Sequence, residues 1–213
     1  MYIITPDYFQ KQYTIPNIDE MDSKNSTVLE ICIDQYVRLL LQNALGYNLW
    51  KELDLNITDG VLDTGAPQKW LDLVNGKIYT KDGKTFTWKG LIYTEGIYKG
   101  SLLVPFVYYH FLKENVSLLT GTGEKVLDAS NAIGVNSTQR MVMSWNDFVN
   151  QYQGQCLFSH HVNRYYHDGV LVEDYFTGND SEQVNLIQYL EDNQANYIDA
   201  HKRLYKVQNQ LGL

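Results

Sequence analysis

The sequence predicts a mainly α fold: a helical bundle with an inserted β-hairpin and extended terminal arms. Three observations carry this reading. From Val28 to Leu53, apolar residues recur at three- and four-residue steps, the period of one buried helix face. Two later stretches, starting near Glu95 and Thr138, return to the same period. Ahead of both, Asp82-Gly83 lies amid β-branched and aromatic residues, a strong hairpin signal. The organisation that follows is an N-terminal arm at 1–24, one helical domain at 25–206 carrying a hairpin at about 77–92, and a C-terminal tail at 207–213.

Each element has its own justification. In the arm, Thr5-Pro6-Asp7 opens a short helix with Thr5 as cap and Pro6 at the first position, and Pro16 ends it. Asn25 or Ser26 caps the main helix. Its buried face is Leu29, Cys32, Ile33, Tyr36, Val37, Leu40 and Ala44, widened by Val28, Ile31, Leu39 and Leu41. That width implies cover on more than one side. Gly46 stops the helix, and Leu49, Trp50 and Leu53 form a second stripe on a new axis. A turn-rich loop leads to a short helix at Pro67–Val74, with Trp70, Leu71 and Val74 inward. The hairpin carries Lys77, Lys81, Lys84 and Lys89 against Asp82, a basic patch in an acidic chain.

From Glu95 the period predicts a helix through Ile97, Leu102, Leu103, Phe106, Tyr109 and Leu112. Pro105 either kinks it or marks its true start. Residues Thr120–Asn136 read as a long loop, with Leu118-Leu119-Thr120 as the frayed end of the preceding helix. A long helix follows from Thr138 to Tyr166, with Met141, Trp145, Phe148, Val149, Tyr152 and Cys156 on one stripe, stopped by Asp168-Gly169. Val170–Phe176 alternates like a strand. Asp180 with Gln183 forms a capping box for a last helix through Val184, Ile187, Leu190, Tyr197, His201, Leu204 and Tyr205, with a break at 192–196. An acidic block from Asp168 to Asp199, including Asp192, reads as a solvated face or, alternatively, as one turned to a basic partner or a DNA channel.

Composition narrows the function. Hydrophobic residues make up 44% and charged residues 20%, which is globular rather than disordered. Aromatics reach 13%, with 17 Tyr, a residue suited to surfaces that bury on assembly. The net charge of −8 disfavours holding nucleic acid through its phosphates. Cys32 and Cys156 form no CxxC pair and read as buried thiols of a reducing compartment. The N-terminus has no basic, apolar leader, and no stretch is long and apolar enough to span a bilayer.

No catalytic constellation emerges. His160, His161 and His167 cluster beside Asp168, but on a helix they lack the i, i+4 spacing that grips a metal. His201 reads as a hydrogen-bonded core residue. No His has Glu three residues before it, and HExxH and GxSxG are absent. Gly121-Thr122-Gly123-Glu124-Lys125 lacks phosphate-loop spacing. The expectation is therefore no enzyme, no catalytic residue, no metal and no cofactor. The alternative is a monomeric helical enzyme or a ligand- or metal-binding protein with its site near His160, His161 and His167.

Leu45, Gly46, Leu49 and Leu53 form a Leu-Gly-x-x-Leu-x-x-x-Leu joint. It is followed by a helix with Leu103, Pro105, Tyr108 and Tyr109, a loop with Thr120 and Gly123, and a long helix of the Trp145–Tyr166 kind. This order, over roughly residues 25–165, resembles the head–tail connector (adaptor, or neck) proteins of tailed bacteriophages, and within them those of Bacteroidota phages, including the crAss-like group. The resemblance implies a structural, non-enzymatic subunit of a ring, commonly twelvefold, beneath the portal. Such a ring lines the DNA channel without specific DNA binding and offers a docking platform to tail or further neck proteins. Residues 25–206 would be the connector domain. The place of action would be the virion neck, and the host cytoplasm during assembly, with no membrane involved. Within that frame, the arms are expected to order on assembly, and Lys81, Lys84 and Trp88 are expected to contact a neighbouring subunit.

Overall fold

A computed structural model describes residues 3–15, 24–115, 117–120, 123–126, 137–154, 163–167, 170–174 and 183–206. Their order is two 3-10 turns (Pro6–Tyr8 and Lys11–Tyr13), α1 (Lys24–Leu45), α2 (Tyr47–Asp54), β1 (Ile57–Thr58), β2 (Val61–Leu62), α3 (Gln68–Asn75), β3 (Lys77–Lys81), β4 (Lys84–Trp88), β5 (Ile92–Glu95) and β6 (Tyr98–Ser101). Then follow α4 (Leu103–Asn115), β7 (Ser117–Thr120), β8 (Gly123–Val126), α5 (Ser137–Gln153), β9 (Asn163–His167), β10 (Val170–Asp174), α6 (Leu186–Asp192) and a 3-10 turn at Gln194–Asn196. All strands pair as antiparallel two-stranded hairpins, five of them among the described residues. The fold is thus mixed, mostly helical with several small two-stranded hairpins where one was expected, rather than plainly a helical bundle.

The core forms around α4. Leu103, Val104, Pro105, Phe106, Val107, Tyr108, Tyr109 and Phe111 are all buried, so this helix is apolar on every side and needs cover all round. α1 and α5 pack on two of its sides. α1 contributes the predicted face, Leu29 through Ala44, all buried. Pro105 occupies the third position of α4, where its missing N–H costs nothing. The helix starts there because buried Ser101 bridges the entry: its hydroxyl donates to Leu91 O (2.6 Å) and accepts from Leu103 N–H (3.0 Å).

Gly46 separates α1 from α2 as expected. Its φ of +82° with ψ of 164° is open almost only to glycine, and its own carbonyl receives Trp50 N–H at 3.0 Å, so α2 begins at once. The predicted short helix is α3, and the predicted hairpin is β3–β4, with Asp82 and Gly83 both at positive φ in the turn. This hairpin docks through a close backbone crossing. A Cβ on Gly90 would lie 2.5 Å from Val74 O and 2.6 Å from Gly76 N. Only a residue without a side chain lets the end of β4 cross the end of α3.

Other expectations need correction. Residues 3–15 are not an arm awaiting a partner: Ile3, Ile4, Phe9, Tyr13 and Ile15 are buried in the same core. Lys99 pairs with Asp7, and the Lys11 ammonium lies 3.7 Å from the Tyr98 ring centroid. The helix expected from Glu95 does not begin until Leu103. Ile92, Thr94 and Tyr93 favour extended backbone, Gly96 turns the chain, and Ile97 sits 99% exposed at the tip of β5–β6. Leu118-Leu119-Thr120 belongs to β7, not to a helix end. The helix expected to reach Tyr166 ends at Gln153, because Gly154 adopts φ +75°. Residues 163–167 and 170–174 pair instead as β9–β10, and the Asp168-Gly169 between them is the same hairpin signal as Asp82-Gly83.

The last helix is also shorter. Its cap is Asn185, whose side chain accepts from Gln188 N–H at 2.9 Å, while Asp180 lies outside the described residues, as do Cys156 and the tail at 207–213. It ends at Asp192, where the Asn193 amide takes the Tyr189 carbonyl. Beyond it, residues 200–206 form a strap without regular secondary structure. Lys202 and Arg203 N–H groups satisfy the open carbonyls of Ala44 and Asn43 at the end of α1 (2.9 and 3.2 Å). The Gln153 side chain grips both backbone groups of Tyr205, at 2.8 and 2.9 Å. The Tyr205 ring joins Phe106, Trp145, Phe148 and Tyr152. His201 and Leu204 are consequently exposed rather than on a core stripe.

Replacing Gly90 by Ala is expected to cost about 3 kcal/mol or more, since both the positive φ and the crossing forbid a Cβ. Gly65→Ala, with nothing within 4 Å, is expected to stay within about 0.5 kcal/mol. Urea unfolding of the two variants checks the contrast.

Candidate assembly surfaces

The basic hairpin is the first candidate. Registers of β3 and β4 place Lys77, Tyr79, Lys81, Lys84, Phe86 and Trp88 on one face, and Ile78, Thr80, Thr85 and Thr87 on the other. The first face meets α6 and α3. Trp88 is only 4% exposed, stacks on Tyr189 (centroids 5.3 Å apart, 18° between planes) and donates its indole N–H to Leu73 O at 2.9 Å. It therefore cannot contact a neighbouring subunit, and the interface expectation is corrected for this residue: its apolar area is spent on its own core. The second face stays open, with Ile78 exposed.

Lys81 is also engaged internally. Its ammonium reaches Asp192 at 2.6 Å, and Tyr79 OH donates to the same carboxylate at 2.6 Å, with Gln188 adding a third bond at 2.8 Å. The Asp192 side chain is 1% exposed, so this member of the acidic block is a buried staple and not part of a solvated face. Burial pushes its pKa up, but hydrogen bonds from Lys81, Tyr79 and Gln188 outweigh burial and hold it below the usual carboxylate value. Lys77 and Lys89 are paired too, with Asp72 and Glu95, both at 2.7 Å. Lys84 alone of the four has no partner among the described residues.

The second candidate lies on α1. The sequence implied cover on more than one side of this helix, yet Ile31 (59% exposed) and Leu39 (40% exposed) face outward in the single chain. Eight residues apart, they lie about 80° from each other around the helix, and Tyr47 at the start of α2 is also exposed. Large apolar side chains grouped on one part of a surface often mark an interaction site.

The third is a cleft of about 180 Å³ between the N-terminal segment, α4 and α5. Asp147 sits in it, with Oδ2 accepting from Tyr13 OH and Gln12 Nε2, both at 2.9 Å. Tyr13 and Tyr108 meet edge to face (5.5 Å) on its wall. Burial raises the Asp147 pKa, and the Tyr13 hydrogen bond offsets this only in part.

The histidines do not form a site here. His160 and His161 lie outside the described residues, and His167 ends strand β9, so the helical spacing on which a site near His160, His161 and His167 was considered does not extend to His167. His110 stacks on Tyr36 (3.9 Å, 11°), beside Glu114, which accepts from Tyr36 OH and from the Cys32 thiol at 3.5 Å. Burial, and then Lys113, push the His110 pKa down to about 4. Burial and the neighbouring carboxylate push the Cys32 thiol up to about 12, which leaves it inert as a nucleophile. Among the described residues no group of three or more His, Cys, Asp or Glu is placed to hold a metal, and no helix is long and apolar enough to cross a membrane.

Sequence reasoning missed Asp192, Tyr79 and Asp147. No local signal marks them, since their partners lie more than 100 residues away. Comparison with known protein families, curated proteins and solved structures gives no match to this chain.

Two outcomes are expected. Asp192→Ala leaves Tyr79 OH and Lys81 without their acceptor and should cost about 2–3 kcal/mol in urea unfolding. For His110, the folded pKa lies below the unfolded value near 6.5, so the unfolded state binds the proton first. Its share of stability is complete above about pH 6.5 and is lost as pH falls toward 4. Allowing for the part of the ring that water reaches, the loss is on the order of 2 kcal/mol. His110→Phe should flatten the pH dependence of the urea midpoint across that window.

Proposed function

We propose that this chain is a structural subunit of a bacteriophage neck ring. It attaches to the portal, extends the DNA channel and presents a platform to tail or further neck proteins. The observation that carries the reading is the Leu45-Gly46-Leu49-Leu53 joint and the helix with Pro105, Tyr108 and Tyr109 that follows it, which resemble head–tail connectors. Physical features support it. Ile31 and Leu39 are left exposed on α1 by the described residues, as a surface destined for another subunit would be. Ile97 and Ile78 project from two hairpins. The acidic net charge suits a channel wall that lets DNA slide without adhering.

In this reading the ring is a homo-oligomer, commonly twelvefold in the proteins it resembles. It acts in the virion neck after assembly in the host cytoplasm, and it performs no chemistry. Of the residues expected to touch a neighbour, Lys84 remains available, whereas Lys81 and Trp88 serve the fold.

Negative-stain electron microscopy of the purified protein, alone and with its candidate portal, tests the proposal. Rings, or a collar added to the portal, are expected. Monomers that leave the portal bare would overturn it. Ile31→Asp with Leu39→Asp is expected to abolish rings while shifting monomer stability by about 0.5 kcal/mol or less, because both residues are exposed in the single chain.

A further inference from the structure

The cleft at Asp147 has the attributes of a receptor. It holds about 180 Å³, room for one long side chain, and it is open to solvent beside exposed Met143. Its carboxylate is half-buried, and both of its hydrogen bonds go to one oxygen, Oδ2. Oδ1 has no partner among the described residues. A carboxylate removed from water and paired on one oxygen only is under-compensated; burial raises its pKa for that reason. The neighbouring walls are tyrosine rings, Tyr13 and Tyr108, which tolerate a cation better than aliphatic side chains do. The other charge in the cleft is Arg140, two helical turns before Asp147 on α5 and so about 10 Å away along the axis. It leaves the Asp147 end negative.

A matching cation stands elsewhere on the same molecule. Among the four hairpin lysines, Lys77, Lys81 and Lys89 are neutralised within the chain. Lys84 is exposed beside the turn, unpaired, and directly opposite Lys81 in the ladder. Like charges placed opposite each other disfavour the hairpin. Asp192 relieves Lys81, and nothing in the described chain relieves Lys84. The hairpin packs on α3 and α6, whereas the cleft lies between the N-terminal segment, α4 and α5. The donor and the receptor are therefore on different surfaces, the arrangement a head-to-tail contact between identical copies requires.

We propose that the Asp147 cleft receives the Lys84 ammonium of a second copy of this chain, with Oδ1 as the acceptor beside the Tyr13 and Tyr108 rings. The inference rests on the ring reading, in which copies meet, and names the contact that joins them. Head-to-tail use of one basic tip and one acidic socket per copy fills both on every copy once the rotation between neighbours closes the ring.

A charge-reversal cycle tests it, read by sedimentation velocity of the full chain over a concentration series at low and moderate salt. Lys84→Glu and Asp147→Asn are each expected to weaken self-association roughly tenfold, since each removes one charge from a partly desolvated pair. Asp147→Asn keeps an oxygen for Tyr13 and Gln12, and circular dichroism with a urea midpoint verifies its fold. Asp147→Lys combined with Lys84→Glu is expected to restore association that Lys84→Glu alone loses. Wild-type behaviour in both single variants would overturn the pairing, as would a wild-type chain that stays monomeric at every concentration, or an Asp147→Asn variant that loses only its collar on the portal. The neck reading is judged separately by the collar itself: rings that persist in the variants leave that reading standing and remove only this contact.

Discussion

A helix that is apolar on all sides is the constraint from which the rest of this structure follows. α4 buries Leu103 through Tyr109 without a polar stripe, so water must be excluded from its entire circumference. α1 and α5 cover two sides, and no third long helix among the described residues covers the remainder. Short pieces do so instead. The N-terminal segment brings Tyr13 against Tyr108, and the strap brings Tyr205 against Phe106. Each piece is too short to hold its own shape, and each is held by hydrogen bonds to groups that would otherwise be left open: the last carbonyls of α1, the amide of Gln153 and the carboxylate of Asp147. Irregular termini thus become parts of the core because a fully apolar helix needs them.

The hairpin β3–β4 is fixed by a different principle. A two-stranded ribbon is marginal by itself, and this one is stabilised by its contacts with α3 and α6 through Trp88, Tyr79 and Lys81. The Asp192 staple places a carboxylate out of water, which only the combined donors of Lys81, Tyr79 and Gln188 make tolerable. The consequence for assembly is selective. Lys77, Tyr79, Lys81 and Trp88 are committed to the subunit, whereas Lys84 and the outward Ile78 face have no partner among the described residues. Basic residues that look equivalent in sequence are therefore unequal: three complete the fold and one projects from it.

Local patterning accounts for what could be read in advance. The face of α1, the joint at Gly46, the short helix α3, the Asp82-Gly83 hairpin and the starting role of Pro105 all depend on residues within a few positions of each other, and each was legible. The departures from local pattern share one cause. Apolar and aromatic density mimics a helical period around Ile97 and beyond Gly154, where a turn glycine decides otherwise. The run through Tyr205 keeps a helical spacing, yet its backbone finds better partners in Gln153 and the end of α1 than in another helical turn. Of the candidate contact residues, Lys84 was legible as exposed charge at a turn. The burial of Trp88 and the internal pairing of Lys81 were not, because α6 lies about a hundred residues further along the chain.

By itself, then, the sequence determined the helical character of the chain, its main breaks, its acidic balance and the basic hairpin, since propensity, period and charge are local properties. Tertiary structure alone decided which of those features remain available to a partner. Trp88 and Asp192 are removed from the surface, Ile31 and Leu39 are left on it, and a half-paired carboxylate at Asp147 is set between two tyrosines. Availability is a property of what else packs nearby, and packing joins residues that no local window contains.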